Sequence, residues 1–307
     1  MQTTQMSTWI AFCIFILCML FLDLFIHGRK PHSIGIKEAI GWSIFWISLA
    51  LGFNAILFYT HGSQSAIEFF TGYLIEKSLS VDNLFVFLLI FKYFKTPEQH
   101  LHRILFYGIL GAIVMRAVFI FGGIFLVQEF RWLLYILGLF LVYIGLKMTF
   151  QKESEIHPEQ NPLLNFVKKW VRVTHEYKND NFFVKLGGKY YATPLFSALL
   201  AVEFSDLVFA IDSIPAIFAI TLDPFIVFTS NIFAILGLRA LFFALKASLE
   251  FFHYLHYALG IILTFIGMKM LIAPWIHLPI IVTLGFIGSS LAIAIILSVL
   301  FPKDNKH

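Results

Sequence analysis

Residues 194–220 read PLFSALLAVEFSDLVFAIDSIPAIFAI, a run with no lysine, arginine or histidine that nevertheless contains Glu203, Asp206 and Asp212. A helix of that length rises about 40 Å, more than the roughly 30 Å of hydrocarbon in a bilayer. The stretch therefore predicts a membrane-spanning helix, and its carboxylates are the anomaly to explain. Working outward, eight more apolar stretches lie at 8–26, 39–60, 66–91, 103–126, 132–150, 225–246, 251–273 and 278–301, and the nine occupy 206 of 307 residues. The chain is 59% hydrophobic and 13% charged, with a mean hydropathy of +0.84. That balance excludes a water-soluble domain, a β-barrel, a disulfide scaffold and a nucleic-acid binder. The expected fold class is an all-α polytopic membrane protein of about nine transmembrane helices.

Placement of the 22 basic residues sets an orientation, because lysine and arginine in short loops stay on the cytoplasmic side. One set of alternate loops holds 17 of them and the other only Arg131 and Lys269, while Lys77, Arg116 and Arg239 fall inside apolar stretches. This predicts an outside amino terminus and a cytoplasmic carboxyl terminus. The first stretch is read as a retained helix, since Met1 to Trp9 carries no positive charge and no small-residue cleavage pattern follows. Its cysteines, Cys13 and Cys18, are five positions apart and point about 140° away from each other on a helix, so they indicate no redox compartment.

The chain repeats itself. Leu137-Gly138 through Gly145-Leu146-Lys147-Met148 returns 122 positions later as Leu259-Gly260 through Gly267-Met268-Lys269-Met270. Arg116-Ala117-Val118-Phe119 returns as Arg239-Ala240-Leu241-Phe242, and Asp82-Asn83 as Asp212-Ser213, with Glu76 and Asp206 each six residues earlier. The units are the third to fifth and the sixth to eighth spans, and a unit of three spans returns the chain on the opposite face, so the second copy is inverted. Secondary transporters use inverted copies of this kind, with a shared site near mid-membrane. The expected organisation is two amino-terminal spans in 1–65, the first unit in 66–150, a cytoplasmic loop in 151–193, the inverted unit in 194–273, and a last span with its tail in 274–307. Within the loop, alternating residues from Phe182 to Thr193 around Gly187-Gly188 predict a short hairpin.

Asp23, Glu76, Asp82, Glu203, Asp206 and Asp212 lie inside apolar stretches. Each costs roughly 2.5–3.5 kcal/mol at a helix centre, so they must face one another or water. Against three intramembrane bases these six leave a formal balance of −3. Protons and metal cations are the species that can neutralise it. Counted from opposite faces, Glu76 lies about 15 Å and Asp206 about 18 Å into their spans, so the two meet near the midplane. Asp82 then lies toward the cytoplasm and Asp212 toward the exterior. Pro215 removes the hydrogen bond to the carbonyl of Ile211 and is expected to bend or open the sixth span at Asp212. Ser80, Asn83 and Ser213 are candidate neighbours, with Asn54 and Asp23 as further ones. The alternative is that the acids pair with Lys77, Arg116 and Arg239 and only fasten helices together.

Carboxylate, amide and hydroxyl oxygens suit Mg²⁺, Ca²⁺ or Mn²⁺, whereas Zn²⁺, Cu⁺ and Ni²⁺ recruit imidazole or thiolate. No histidine lies in the third or sixth stretch. The candidate metal ligands are therefore Glu76, Asp82, Asn83, Glu203, Asp206 and Asp212, around a transported ion and with no resident cofactor.

The segments 72–83 and 202–216 resemble the two signature segments of the TerC family of bacterial integral membrane proteins, and similarity to its Alx-type members runs from about residue 20 to 300, through Asp223-Pro224-Phe225 and Thr229-Ser230-Asn231. The resemblance implies export of Mn²⁺ across the cytoplasmic membrane, and it supplies both the metal and the direction; exchange for protons is inferred instead from the excess of carboxylates held near one another in a dry interior. It also associates the family with tellurium stress, which is read as indirect because an acidic pocket is a poor carrier of an oxyanion. Partners implied are a divalent cation, protons and the lipid bilayer, with no nucleic acid. The rivals are a scaffold assisting metallation or assembly of exported proteins, a Ca²⁺ transporter, and a membrane enzyme. The enzyme is disfavoured because the chain offers no phosphate-cradling glycine loop, nucleophile–base pair or HExxH helix.

Overall fold

The computed structural model describes residues 6–27, 35–150, 181–186, 189–246, 254–276 and 278–300. The chain is an all-α polytopic membrane protein. Its helices are α1 (Met6–His27), α2 (Ile36–His61), α3 (Ser63–Tyr93), α4 (Glu98–Glu129), α5 (Leu133–Phe150), α6 (Pro194–Phe218), α7 (Pro224–Leu236), α8 (Leu238–Lys246), α9 (Leu255–Ile272) and α10 (Ile280–Leu300). Seven segments are long and apolar enough to cross a bilayer: α2, α4, α5, α6, α7 with α8 as one span, α9 and α10. The apolar part of α1, Met6–Leu22, is shorter, and α3 is absent from the seven although it is 31 residues long, because Glu76, Lys77 and Asp82 interrupt its hydropathy. The residues expected in the loop up to position 180 lie outside the described set. Beyond them, β1 (Phe183–Leu186) pairs antiparallel with β2 (Lys189–Ala192) in the register Leu186 to Lys189, as expected for a hairpin turning on Gly187-Gly188.

The span formed by α7 and α8 is the centre of the bundle, and every residue from Phe225 to Leu236 except the half-buried Phe228 is buried. Polar termini inside apolar surroundings need partners, and α7 has them at both ends. At its start Asp223 accepts hydrogen bonds from the backbone amides of Phe225 (2.9 Å) and Ile226 (3.2 Å), with Pro224 in the first turn. At its end the chain breaks at Gly237, and Lys77 from α3 donates to the carbonyl of Ala234 at 3.3 Å. A Cβ on Gly237 would sit 2.7 Å from that ammonium nitrogen and 3.1 Å from Trp46, so only glycine leaves room for the lysine. The broken helix departs from the single continuous helix expected over 225–246. Among the described residues Lys77 pairs with no acid; it caps a helix end where carbonyls carry partial negative charge. The expected opening at Asp212 is not seen either: α6 runs past Pro215 to Phe218.

The glycines of the internal repeat meet each other. A Cβ on Gly138 would lie 3.2 Å from the carbonyl of Gly267, and one on Gly260 would lie 2.8 Å from that of Gly145. Likewise Gly145 faces Thr264 and Gly260, and Gly267 faces Val142 and Gly138. Under the 122-residue offset each contact maps onto the other, with the partners exchanged. The helices α5 and α9 cross antiparallel through these pairs, backbone against backbone, as small residues allow in a membrane. Gly145→Ala places a Cβ 2.5 Å from the Thr264 amide nitrogen and is expected to cost about 1–3 kcal/mol in detergent melting. An unchanged melting curve would mean that the crossing carries no stability.

Large apolar side chains point outward on the peripheral helices, among them Phe21, Phe125 and Phe150 at 71%, 67% and 80% exposure, as a lipid-facing surface requires. The exposed ion pair of Lys246 with Glu98 joins the end of α8 to the start of α4, two loci expected on the same membrane side. Such a pair contributes only about 0–1 kcal/mol.

Candidate functional site

Four helices deliver one polar cluster to the buried centre. Glu76 comes from α3, Arg116 from α4, Asp206 from α6 and Asn231 from α7. Glu76, Arg116 and Asn231 are fully buried, and Asp206 is 3% exposed. Arg116 donates from Nε to Asp206 Oδ2 at 3.4 Å and from Nη2 to Asp206 Oδ1 at 3.2 Å, a side-on bidentate pair. Its Nη1 donates to Asn231 Oδ1 at 2.8 Å and also to Glu76 Oε1, with which it forms an ion pair. The amide of Asn231 is oriented from behind, since its Nδ2 donates to the carbonyl of Val227 at 2.9 Å.

Glu76 and Asp206 are thus brought into one cluster, with an arginine between them. That answers the fastening alternative only in part. Two carboxylates share one guanidinium, which leaves those three groups a formal charge of −1, and Glu76 Oε2 is buried with no hydrogen-bond partner among the described residues. On α3, Gly72, Glu76, Ser80 and Asn83 fall on one helical face, and Gly72 lets that face approach α7, since a Cβ there would lie 3.0 Å from Ser230 Oγ. Ser80 Oγ and, on α6, Ser213 Oγ are buried without partners, as is Asn54 Oδ1 on α2.

Glu203 is half-buried with its carboxylate packed on α4 at Gly111, where a Cβ would come within 2.0 Å of Oε1. It makes no ion pair among the described residues. Glu68, at the edge of the third stretch and not considered in the charge balance above, is hydrogen-bonded to Gln64 at 2.8 Å. Among the described residues no three His, Cys, Asp or Glu side chains gather into one group. The side chains of Asp23, Asp82 and Asp212 lie outside the described set, so three expected members of the site have no place in this geometry.

A narrow cavity with room for about one water reaches Asp206 from one side of the cluster. Phe87, Leu105, Gly108 and Val202 line it, with Asp206 and Arg239 as its polar members. These residues lie toward the ends where α3 finishes and α4 and α6 begin, which is the side expected to face the cytoplasm.

Residues 61–306 match the model of the TerC family, described as integral membrane protein TerC family. The chain belongs to the TerC family. It is 47% identical over 97% of its length, and 96% of the relative's, to the Alx protein of Salmonella typhi, whose name describes it provisionally as a membrane-bound redox modulator. It is also 47% identical to a Myxococcus xanthus membrane protein called STKORF319, covering 95% of this chain and 92% of that one, and 43% identical to a Rickettsia bellii membrane protein, covering 95% and 97%. No solved structure matches it significantly.

Two TerC segments quoted from the sequence acquire physical reasons here. Asp223-Pro224-Phe225 is the start of α7, and Asn231 is the neutral member of the arginine cluster. The sequence reading omitted Asn231 as a site residue. Its signal was present, because Thr229-Ser230-Asn231 is a polar triplet inside an otherwise apolar span.

Proposed function

We propose that the protein is a secondary transporter that exports divalent metal cations, Mn²⁺ foremost, across the bacterial cytoplasmic membrane in exchange for protons. The observation that carries this reading is the charge imbalance at Arg116: two buried carboxylates from two helices meet one permanent cation. A buried excess of negative charge is costly without a mobile counter-charge. All its donors are oxygen atoms, the chemistry that suits Mn²⁺, Mg²⁺ or Ca²⁺. Membership in the TerC family, whose resemblance implies manganese export, favours Mn²⁺ among these. Protons are the proposed exchange partner because a mobile positive charge can balance the excess negative charge that remains beside the guanidinium. The redox description of the Alx relatives fixes no cargo, and the chain's two thiols, Cys13 and Cys18, are exposed on α1.

The test is the purified protein in liposomes loaded with Mn²⁺, Ca²⁺ or Mg²⁺, with and without an acidic exterior. Mn²⁺ should leave fastest, and faster still when the outside is acidified. A protein that is inserted and folded yet moves none of the three ions beyond empty liposomes overturns the transporter.

A further inference from the structure

We infer that the oxygen cage of Glu76, Asp206 and Asn231 is the cargo site, and that the Arg116 guanidinium is a tethered cation which the cargo must displace. This rests on the transport reading above and adds the ligand set and the competitor. The guanidinium is a bound cation in this cage already: four of its donor interactions go to oxygens from three helices, at 2.8, 3.2 and 3.4 Å for the two outer partners. A second observation is independent of it, the buried Glu76 Oε2 that has no donor. Charge then decides between the two occupants. With the guanidinium the cage keeps a formal −1, whereas a divalent ion brings two carboxylates to neutrality. Both would need the same oxygens of Glu76, Asp206 and Asn231 and would repel each other in a dry interior, so occupancy is exclusive.

The surroundings fit an exchange. The cavity lined by Phe87, Leu105 and Val202 reaches Asp206 and not Glu76, so an ion entering there meets the bidentate side of the arginine first. Glu203 precedes Asp206 by three residues, about one turn along the same helix, and offers the displaced guanidinium a carboxylate on the α4–α6 contact. An exporter gains from such a tethered cation. It keeps the emptied cage from collapsing onto unpaired charge, and it lowers affinity enough for the cargo to leave.

The experiment uses the full chain in detergent, with Mn²⁺ binding read from loss of the free-ion electron paramagnetic resonance signal and stability read from thermal melting. Arg116→Gln removes the competing charge and should bind Mn²⁺ at least about tenfold more tightly than the parent. It should also melt early in chelator and recover on adding Mn²⁺ by more than the parent does, since a ligand stabilises the state that binds it. Asn231→Asp adds a charge that attracts a divalent ion more than a guanidinium, so it too should tighten Mn²⁺ binding without removing the arginine. If Arg116→Gln is too unstable to purify, Arg116→Lys replaces it: it keeps the charge but loses the bidentate hold on Asp206, and it should also tighten Mn²⁺ binding. Unchanged or weaker Mn²⁺ binding in the variants that fold overturns the exchange, even where the parent moves Mn²⁺ through liposomes. Tighter binding in the variants with no transport by the parent would instead remove the transporter and leave the cage as a binding site.

Discussion

Asp206→Asn is expected to reduce Mn²⁺ efflux from loaded liposomes by about 100-fold or more, while the protein remains inserted and folded. The size follows from losing one unit of charge beside a divalent ion at an effective dielectric near 20. The folding expectation follows from the remaining charges. Without the aspartate charge, Glu76 and Arg116 stand one to one, and the buried cluster is neutral instead of −1. Asparagine keeps the shape and one acceptor for the guanidinium. The same reasoning applies to Glu76→Gln, and Asp212→Asn is expected to abolish efflux as the partner along the outer access path. Full efflux in Asp206→Asn would remove the cluster from the transport cycle, whatever its part in stability.

Arg116→Leu is the second large effect, and it falls on stability. Removing one partner of a buried ion pair destabilises by about 3–5 kcal/mol, because the other charge is left uncompensated. Here two carboxylates are left, and Arg116 is also the contact that joins α3, α4, α6 and α7. A loss at or above that range is expected in thermal or denaturant melting of the detergent-purified protein. Neutralising the rest of the cluster tests the cause. Arg116→Leu combined with Glu76→Gln and Asp206→Asn should recover most of the loss, since replacing a whole buried ionic group by neutral residues is often close to neutral. If the triple variant is as unstable as the single one, packing around the arginine is the cause and not its charge.

Much of the architecture could be read from residue order because hydropathy is a local property. A run of some 20 apolar residues has one stable fate in a membrane, which is why most of the marked stretches coincide with helices within a few residues. The exceptions have identifiable causes. Over 225–246 the apolar pattern continues through Gly237, but the backbone breaks there to admit the ammonium of Lys77, a contact between residues 157 positions apart. At Pro215 the chain does what local chemistry disfavours and stays helical, within a helix packed on α3 and α4.

The site was legible to a similar depth. Depth counting brought Glu76 and Asp206 together, because both distances are measured along single helices. It could not tell that one arginine lies between them, because that depends on the rotation of α4 about its own axis. Arg116 and Arg239 are equivalent in the sequence repeat, and Arg116 is the one that holds Glu76 together with Asp206. The first sits in an unbroken 32-residue helix and the second just after the break at Gly237. Asn231 was likewise visible as a polar residue in an apolar span, but its use as an acceptor is set by how α7 packs against α3 and α4.

Residue order by itself determined that this chain lives in a bilayer, which stretches are long and apolar enough to cross it, and that acids lie where lipid would reject them, since each follows from transfer free energy summed along a helix. Tertiary structure alone decided which charges meet, where α7 ends, and that two carboxylates share one guanidinium. Those outcomes depend on how helices rotate and slide against one another, and no single helix contains that information.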